Sequence, residues 1–165
     1  MYQYIGPKEI LKQIDIKKIG KIIKTPNDIK DWIIDTKQIC DYNNEIIATF
    51  VIDLNENLRI NDRRSEHVVC ANGENVLSAG EITFEVKKNK IISISQITNQ
   101  STGYCPSINS WNFVEKTLKK INIDFPDFFT TEFVFRICKN CGNINLIKDD
   151  FFVCINCDIE LNENE

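Results

Sequence analysis

The chain has 165 residues, of which 42% are hydrophobic, with ten Phe and two Trp, enough to bury one real core. A charged fraction of 27% is ordinary and argues against wholesale disorder, and no apolar run approaches the ~20 residues of a membrane span. The N-terminus, "MYQYIGPKEILKQ", lacks the charged, apolar, small-residue order of a signal peptide, and the seven cysteines are not scattered like a disulfide framework, so the expected compartment is the cytoplasm, with no membrane association.

The net charge of −4 is uneven. Residues 1–30 carry seven Lys against Glu9, Asp15 and Asp28, a local +4, whereas residues 136–165 carry three cations against six acids, a local −3. In chain order, "PKEILKQIDIKKIGKIIK" fits a short helix followed by an extended piece. "TPNDIKDWIIDTKQIC" predicts a helix, with Thr25 as cap, Pro26 in the first turn and Asp28 at the positive end. Ile29, Trp32, Ile33, Thr36 and Cys40 fall on its one apolar face. From Glu45 the composition turns β-branched and aromatic. "EIIATFVIDL", "NLRIND", "EHVVCA", "EITFEVKK" and "KIISISQI" read as strands of an antiparallel sheet, with Asn57, Asn61 and Asn89 at turns. "SINSWNFVEKTLKKINI" predicts a second helix, capped by Ser110 or Asn112, with Trp111, Val114, Leu118 and Ile121 facing inward. "DFPDFFTTEFVFRI" then leads through a loop into a strand that runs into Cys138.

The most specific motif is "CKNCGNINLIKDDFFVCINC". Cys138, Cys141, Cys154 and Cys157 form two C-x-x-C pairs twelve residues apart, the spacing of a zinc ribbon. Gly142 follows the first pair, where such a knuckle needs a positive φ. "NINLI" and "FFV" predict two short strands meeting at a Lys148-Asp149-Asp150 turn. Four thiolates close the shell of a Zn2+ ion, so the expected cofactor is structural zinc. With that zinc the local charge becomes about −5. Such an acidic ribbon is a poor phosphate binder, which favours a protein partner over nucleic acid there; the Lys-rich first thirty residues are the better nucleic-acid candidate.

In the centre, three site readings compete with a simple structural role for His67, the one histidine. A second metal site from His67, Cys70, Cys105 and Cys40 is disfavoured because residues i and i+3 of a strand face opposite ways. A deaminase-like zinc site is excluded, since Glu74 stands four residues after Cys70 and "YCPSIN" has no second cysteine. A Cys105 nucleophile with His67 as base and Gln100 as oxyanion donor would use a helix dipole to lower the thiol pKa.

"HVVCANGENVLSAGE" followed by "SISQITNQSTGYCP" resembles a run H-S-S-x-x-x-G, A-A-G, strand, S-G-H-Y-x-P of plant IQ-motif calmodulin-binding proteins and toxin-associated domains. His67, Gly73, Ala79, Gly80, Ser101, Tyr104 and Pro106 fall on that run, over about forty residues. Gly103 stands where the run has its second histidine, and the IQ element is not evident. Most of the chain is similar to uncharacterised bacterial proteins with D-R-R-S-E-H, N-Q-S-T-G-Y-C-P and a C-terminal zinc ribbon. What this chain keeps of the run is His67, a Gly80-Glu81 turn into a strand and a Tyr104-Pro106 turn. Gly73, Gly80 and Gly103 allow close backbone approach, which either only sets the fold or brings "EHVV" and "TGYCP" together around a small pocket at His67, Glu81 and Tyr104, with Arg63, Arg64 and Glu66 at its entrance.

The expected fold is therefore α+β, an antiparallel sheet with flanking helices and a C-terminal zinc ribbon. The expected segments are 1–44 (helical), 45–135 (α+β core) and 136–165 (ribbon). The expected function is a zinc-binding protein acting through protein–protein contact. The alternative is a small enzyme or ligand-binding domain, toxin- or defence-related, that modifies a nucleotide or a protein at His67, Glu81 and Tyr104.

Overall fold

The computed structural model describes residues 1–12, 14–15, 18–87 and 90–163. The ambiguous N-terminal stretch resolves as a short helix α1 (Lys8–Leu11) and then strand β1 (Lys21–Ile23). Helix α2 (Pro26–Asp35) starts at a full capping box: Thr25 Oγ1 accepts from the Asp28 N–H, and Asp28 Oδ2 accepts from the Thr25 N–H at 2.8 Å. Its Ile29 and Trp32 are buried, and Thr36 closes it by donating to the Trp32 carbonyl.

Strands β2 (Glu45–Asp53), β3 (Leu58–Asp62), β4 (Val76–Lys87) and β5 (Lys90–Ile97) join β1 in one antiparallel sheet, in the order β1-β3-β2-β4-β5. The β2–β3 turn is organised by Asp53. Its carboxylate accepts from the backbone N–H groups of Asn55 and Asn57, from the Asn57 amide, and from Arg59 Nε at 2.9 Å. Asn57 belongs to this turn, but Asn61 lies within β3, where its side chain donates to the Lys18 carbonyl. Asn89 lies outside the described residues.

"EHVVCA" is not a strand. His67–Cys70 form a single helical turn, α3, which buries Val68, Val69 and Cys70. The β-branched run is held helical by packing that propensity does not register. The strand after it begins at Val76 rather than at Glu81, so Gly80 and Glu81 sit inside β4 and not at a turn. Gly80 is required there by close approach: a Cβ would stand 1.9 Å from the Thr98 carbonyl oxygen.

The sheet is covered on both faces. Even-numbered residues of β2 (Ile46, Ala48, Phe50, Ile52) pack with Ile29 and Trp32 of α2 and with Val114, Leu118 and Ile121 of α4 (Trp111–Ile121). The opposite face, with Val51 and Ala79, is covered by α3, Tyr104 and the N-terminal residues Tyr2, Tyr4, Ile10 and Ile14. Residues 1–44 thus supply a strand and core side chains to the same body as the sheet. Helix α4 carries Ser110 at its N-cap, with the hydroxyl bonded to Ser78 rather than to the helix, and Asn112 lies inside the helix. Among the described residues no helix is long and apolar enough to cross a membrane.

Beyond α4, the chain runs along the outer edge of β5, with backbone bonds from Ile94 N–H to the Asp124 carbonyl and from Thr130 N–H to the Ile97 carbonyl. It then enters β6 (Val134–Ile137), which pairs with β7 (Ile144–Ile147) in a separate two-stranded sheet. Asn99, fully buried, holds this entry: its amide donates to the Pro106 and Phe133 carbonyls and accepts from the Phe133 N–H at 2.7 Å.

Candidate metal centre

The expected Lys148-Asp149-Asp150 turn is present: Asp149 and Asp150 both take positive φ, and the Phe151 N–H donates to the Lys148 carbonyl. The expected pairing of "NINLI" with "FFV" is not. Residues 144–147 pair with β6 instead, while Val153 bridges Glu160 and the Leu161 N–H donates to the Phe152 carbonyl. Each C-x-x-C therefore sits at the tip of its own hairpin.

The two tips are built alike. In the first, the Cys138 N–H donates to the Asn143 carbonyl and the Gly142 N–H to the Cys138 carbonyl; in the second, the Cys154 N–H donates to the Ile159 carbonyl and the Asp158 N–H to the Cys154 carbonyl. The residue after the second cysteine is left-handed in both, Gly142 at φ 73° and Asp158 at φ 56°. That twist turns both sulfurs of a pair to one side.

The tips face each other. Cys138 Sγ and Cys157 Sγ are 3.6 Å apart, as are Cys141 Sγ and Cys154 Sγ, and all four sulfurs lie within 4.8 Å of one another. Such a cluster could hold a metal ion. Its thiols titrate unlike free ones. Cys141 is pulled down to about 6, chiefly by hydrogen bonds from the Asn156 side chain and then the Asn143 backbone. Cys157 is pushed up to about 11, because its hydrogen bonds from Asn140 and Ile159 are outweighed by burial and by the sulfurs of Cys141 and Cys138. Four sulfurs this close would repel one another as thiolates unless a cation lay between them.

Asn145, absent from the sequence reading, ties the two tips together. It is buried; its amide donates to the Asn143 carbonyl at 3.0 Å and lies 3.7 Å from Cys154 Sγ, while its oxygen accepts from the Ile155 N–H at 3.0 Å. Its sequence signal is weak: an amide inside an apolar strand, where such residues are depleted. The unit's own core is small, with Leu161 packed beside Cys138, Cys154, Ile147 and Phe152. Arg136 straps the C-terminal segment down by donating to the Asn162 and Glu163 carbonyls, with its guanidinium over the Phe152 ring.

The central candidates divide. His67 and Glu81 line one cleft, with Arg63, Arg64 and Glu66 of the expected entrance, together with Gln100. Tyr104 does not line it. Tyr104 is buried in the second core cluster and donates to the Glu74 carbonyl at 2.6 Å; burial raises its pKa. Cys70 donates to the Arg59 carbonyl from a fully buried position that pushes its thiol up to about 12. Cys105 lines a different cavity, beside Pro106, Ser107 and Phe133, and burial pushes its thiol up to about 11, against the lowering expected from a helix dipole. The helix that follows begins only at Trp111. Among the described residues, the four C-terminal cysteines are the one cluster of three or more His, Cys, Asp or Glu ligand atoms arranged for a metal. Compared with family models, curated proteins and solved structures, the chain gives no match.

Proposed function

We propose that the four-cysteine unit is a zinc ribbon whose metal is structural, and that the protein acts by presenting this ribbon to another protein. The observation that carries the reading is the closed set of four sulfurs. Sulfurs about 2.3 Å from a tetrahedral zinc stand about 3.8 Å apart, close to the 3.6 Å separations here. Two matched tips tied together by Asn145 deliver the sulfurs, and four thiolates leave no coordination position for water or substrate, which favours a clip over a catalytic ion. The ion also replaces the apolar core that so short a unit lacks.

The ribbon's surface supports the partner half of the proposal. Ile137, Phe151, Ile155 and Ile159 are between 45% and 79% exposed; Asp149, Asp150, Asp158 and Glu160 neighbour the last three in sequence, and Ile137 and Ile159 share a groove with Arg136, Lys139 and Glu160. Exposed apolar side chains on a segment of net charge −3 suit a protein surface that is apolar and basic better than a phosphate backbone.

The test has two steps. Elemental analysis of protein purified without added metal is expected to give one zinc per chain; metal-free protein with a folded ribbon would end the zinc reading. Phe151→Asp/Ile155→Asp is then expected to keep its zinc and melting temperature but lose the partner that the parent chain recovers. Unchanged recovery would end the surface reading.

A further inference from the structure

On the sheet face opposite α2 and α4 lies a cleft of about 240 Å³ lined by Arg63, Arg64, His67, Gln100 and Thr102 and by two carboxylates, Glu66 and Glu81. Its geometry follows from the fold. Thr49 and Glu81 are cross-strand neighbours, so Glu81 projects on the same face as Val51 and Ala79. The β4–β5 ladder ends at Ile82 and Ile97; Thr98 still donates its N–H to the Glu81 carbonyl, and Gln100 and Thr102 beyond it line the cleft. The turn after β3 brings in Arg63 and Arg64, and α3 brings in His67.

The hydrogen bonds inside the cleft are incomplete in a specific way. Glu81 Oε1 accepts from Arg63 Nε at 3.2 Å, and among the described residues this is the only bond its guanidinium makes. The carboxylate therefore engages Nε and leaves the Nη groups without a bond among the described residues. Arg64 donates its backbone N–H to Asp62, while its guanidinium has no hydrogen bond or ion pair among the described residues. His67 Nε2 lies 3.0 Å from the Gly80 carbonyl, which can only accept, so the ring proton sits on Nε2 and Nδ1 presents a lone pair. Burial lowers the His67 pKa, with the Gly80 bond and Glu81 opposing more weakly, so the ring is neutral near pH 7.

We propose that this cleft binds a small molecule carrying an oxyanion, carboxylate or phosphate, next to a hydroxyl or amine. The oxyanion lies on the Nη groups of Arg63 and Arg64, and the hydroxyl or amine donates to His67 Nδ1. A planar guanidinium edge matches paired oxygens, and a carboxylate at Nε leaves both Nη groups to meet them. Size limits the ligand: the cleft is smaller than the ~300–1,000 Å³ that holds drug-sized molecules, which excludes a dinucleotide or a folded peptide from full burial. Gln100 and Thr102 supply further polar groups in the lining. The site is independent of the zinc reading, since it shares no residue with the ribbon.

The full chain can be titrated with inorganic phosphate and, separately, with glycolate in a low-chloride buffer. His67 is the only histidine, so its ring protons report the cleft by NMR without ambiguity. A saturable shift with phosphate alone identifies a phosphorylated ligand, one with glycolate alone a carboxylate ligand, and one with both the shared chemistry. Arg63→Gln/Arg64→Gln, at two exposed positions, is expected to weaken that binding about tenfold or more while the melting temperature stays put. The absence of a saturable His67 response to either probe into the tens of millimolar, or an equal response in the double variant, overturns the proposal.

Discussion

At the scale of single residues, two buried polar side chains matter more than their types announce. Asn145 bonds both cysteine tips at once, so it would orient the sulfurs of a metal site from outside the ligand shell. Asn145→Ala is expected to lower metal affinity about 10- to 100-fold, read by competition with a chromophoric chelator. Nothing in "GNINLIK" separates Asn145 from Asn143, because its role depends on Ile155, ten residues on, which only the folded ribbon brings near. Asp53 is the second case. Burial alone would raise its pKa, but hydrogen bonds from Asn57 and the Arg59 guanidinium more than offset that and hold it below its ordinary 3.8. A depressed carboxylate pKa contributes stability above the ordinary value, and that stability is lost as the pH falls through the folded value. Asp53→Asn is therefore expected to destabilise the fold by about 2 kcal/mol at neutral pH, with the gap to the parent chain closing below pH 3.8, as measured by urea unfolding across pH.

At the scale of elements, legibility followed local chemistry. Helix α2 was readable because Thr25, Pro26 and Asp28 signal a start that the chain makes for itself, and the inward face of α4 was readable from its spacing. Helix α3 was not. Four residues rich in valine have no helical period to detect, and they are helical because the sheet and the N-terminal segment bury Val68, Val69 and Cys70 there. The cleft was half legible for the same reason: His67 and Glu81 could be named, but a Tyr104 hydroxyl pointing to Glu74 could not be foreseen. The ribbon tips make an element-level prediction. Gly142 at φ 73° has open space around it, so Gly142→Ala meets no clash and is expected to cost about 1 kcal/mol from backbone strain alone. Asp158 holds the same left-handed position in the second tip, so Asp158→Gly is expected to be neutral or mildly stabilising. Thermal unfolding of the metal-loaded variants checks both, and an equal loss in each would show that the tips are not equivalent.

At the scale of the molecule, two sheets with different kinds of core share one chain. The sheet is sustained by apolar burial on both faces, whereas the ribbon has few buried apolar residues beside its cysteines. Removing metal with a strong chelator is therefore expected to melt the ribbon and leave the sheet. Hydrogen exchange should show lost protection at residues 138–161 with protection retained in β2 and β4. Loss of protection throughout would mean that the ribbon supports the sheet.

The segment lying along β5 has a consequence for aggregation. It occupies backbone groups on a strand that would otherwise be an open edge, through Ile94, Asp124, Ile97 and Thr130. A chain cut just after α4 would keep all five strands of the sheet but bare that edge to identical copies, a template for intermolecular pairing. Such a fragment should scatter light on concentration, where one extending through Phe133 should not. The stretch that reads in sequence as a mere connector is what keeps the sheet from growing.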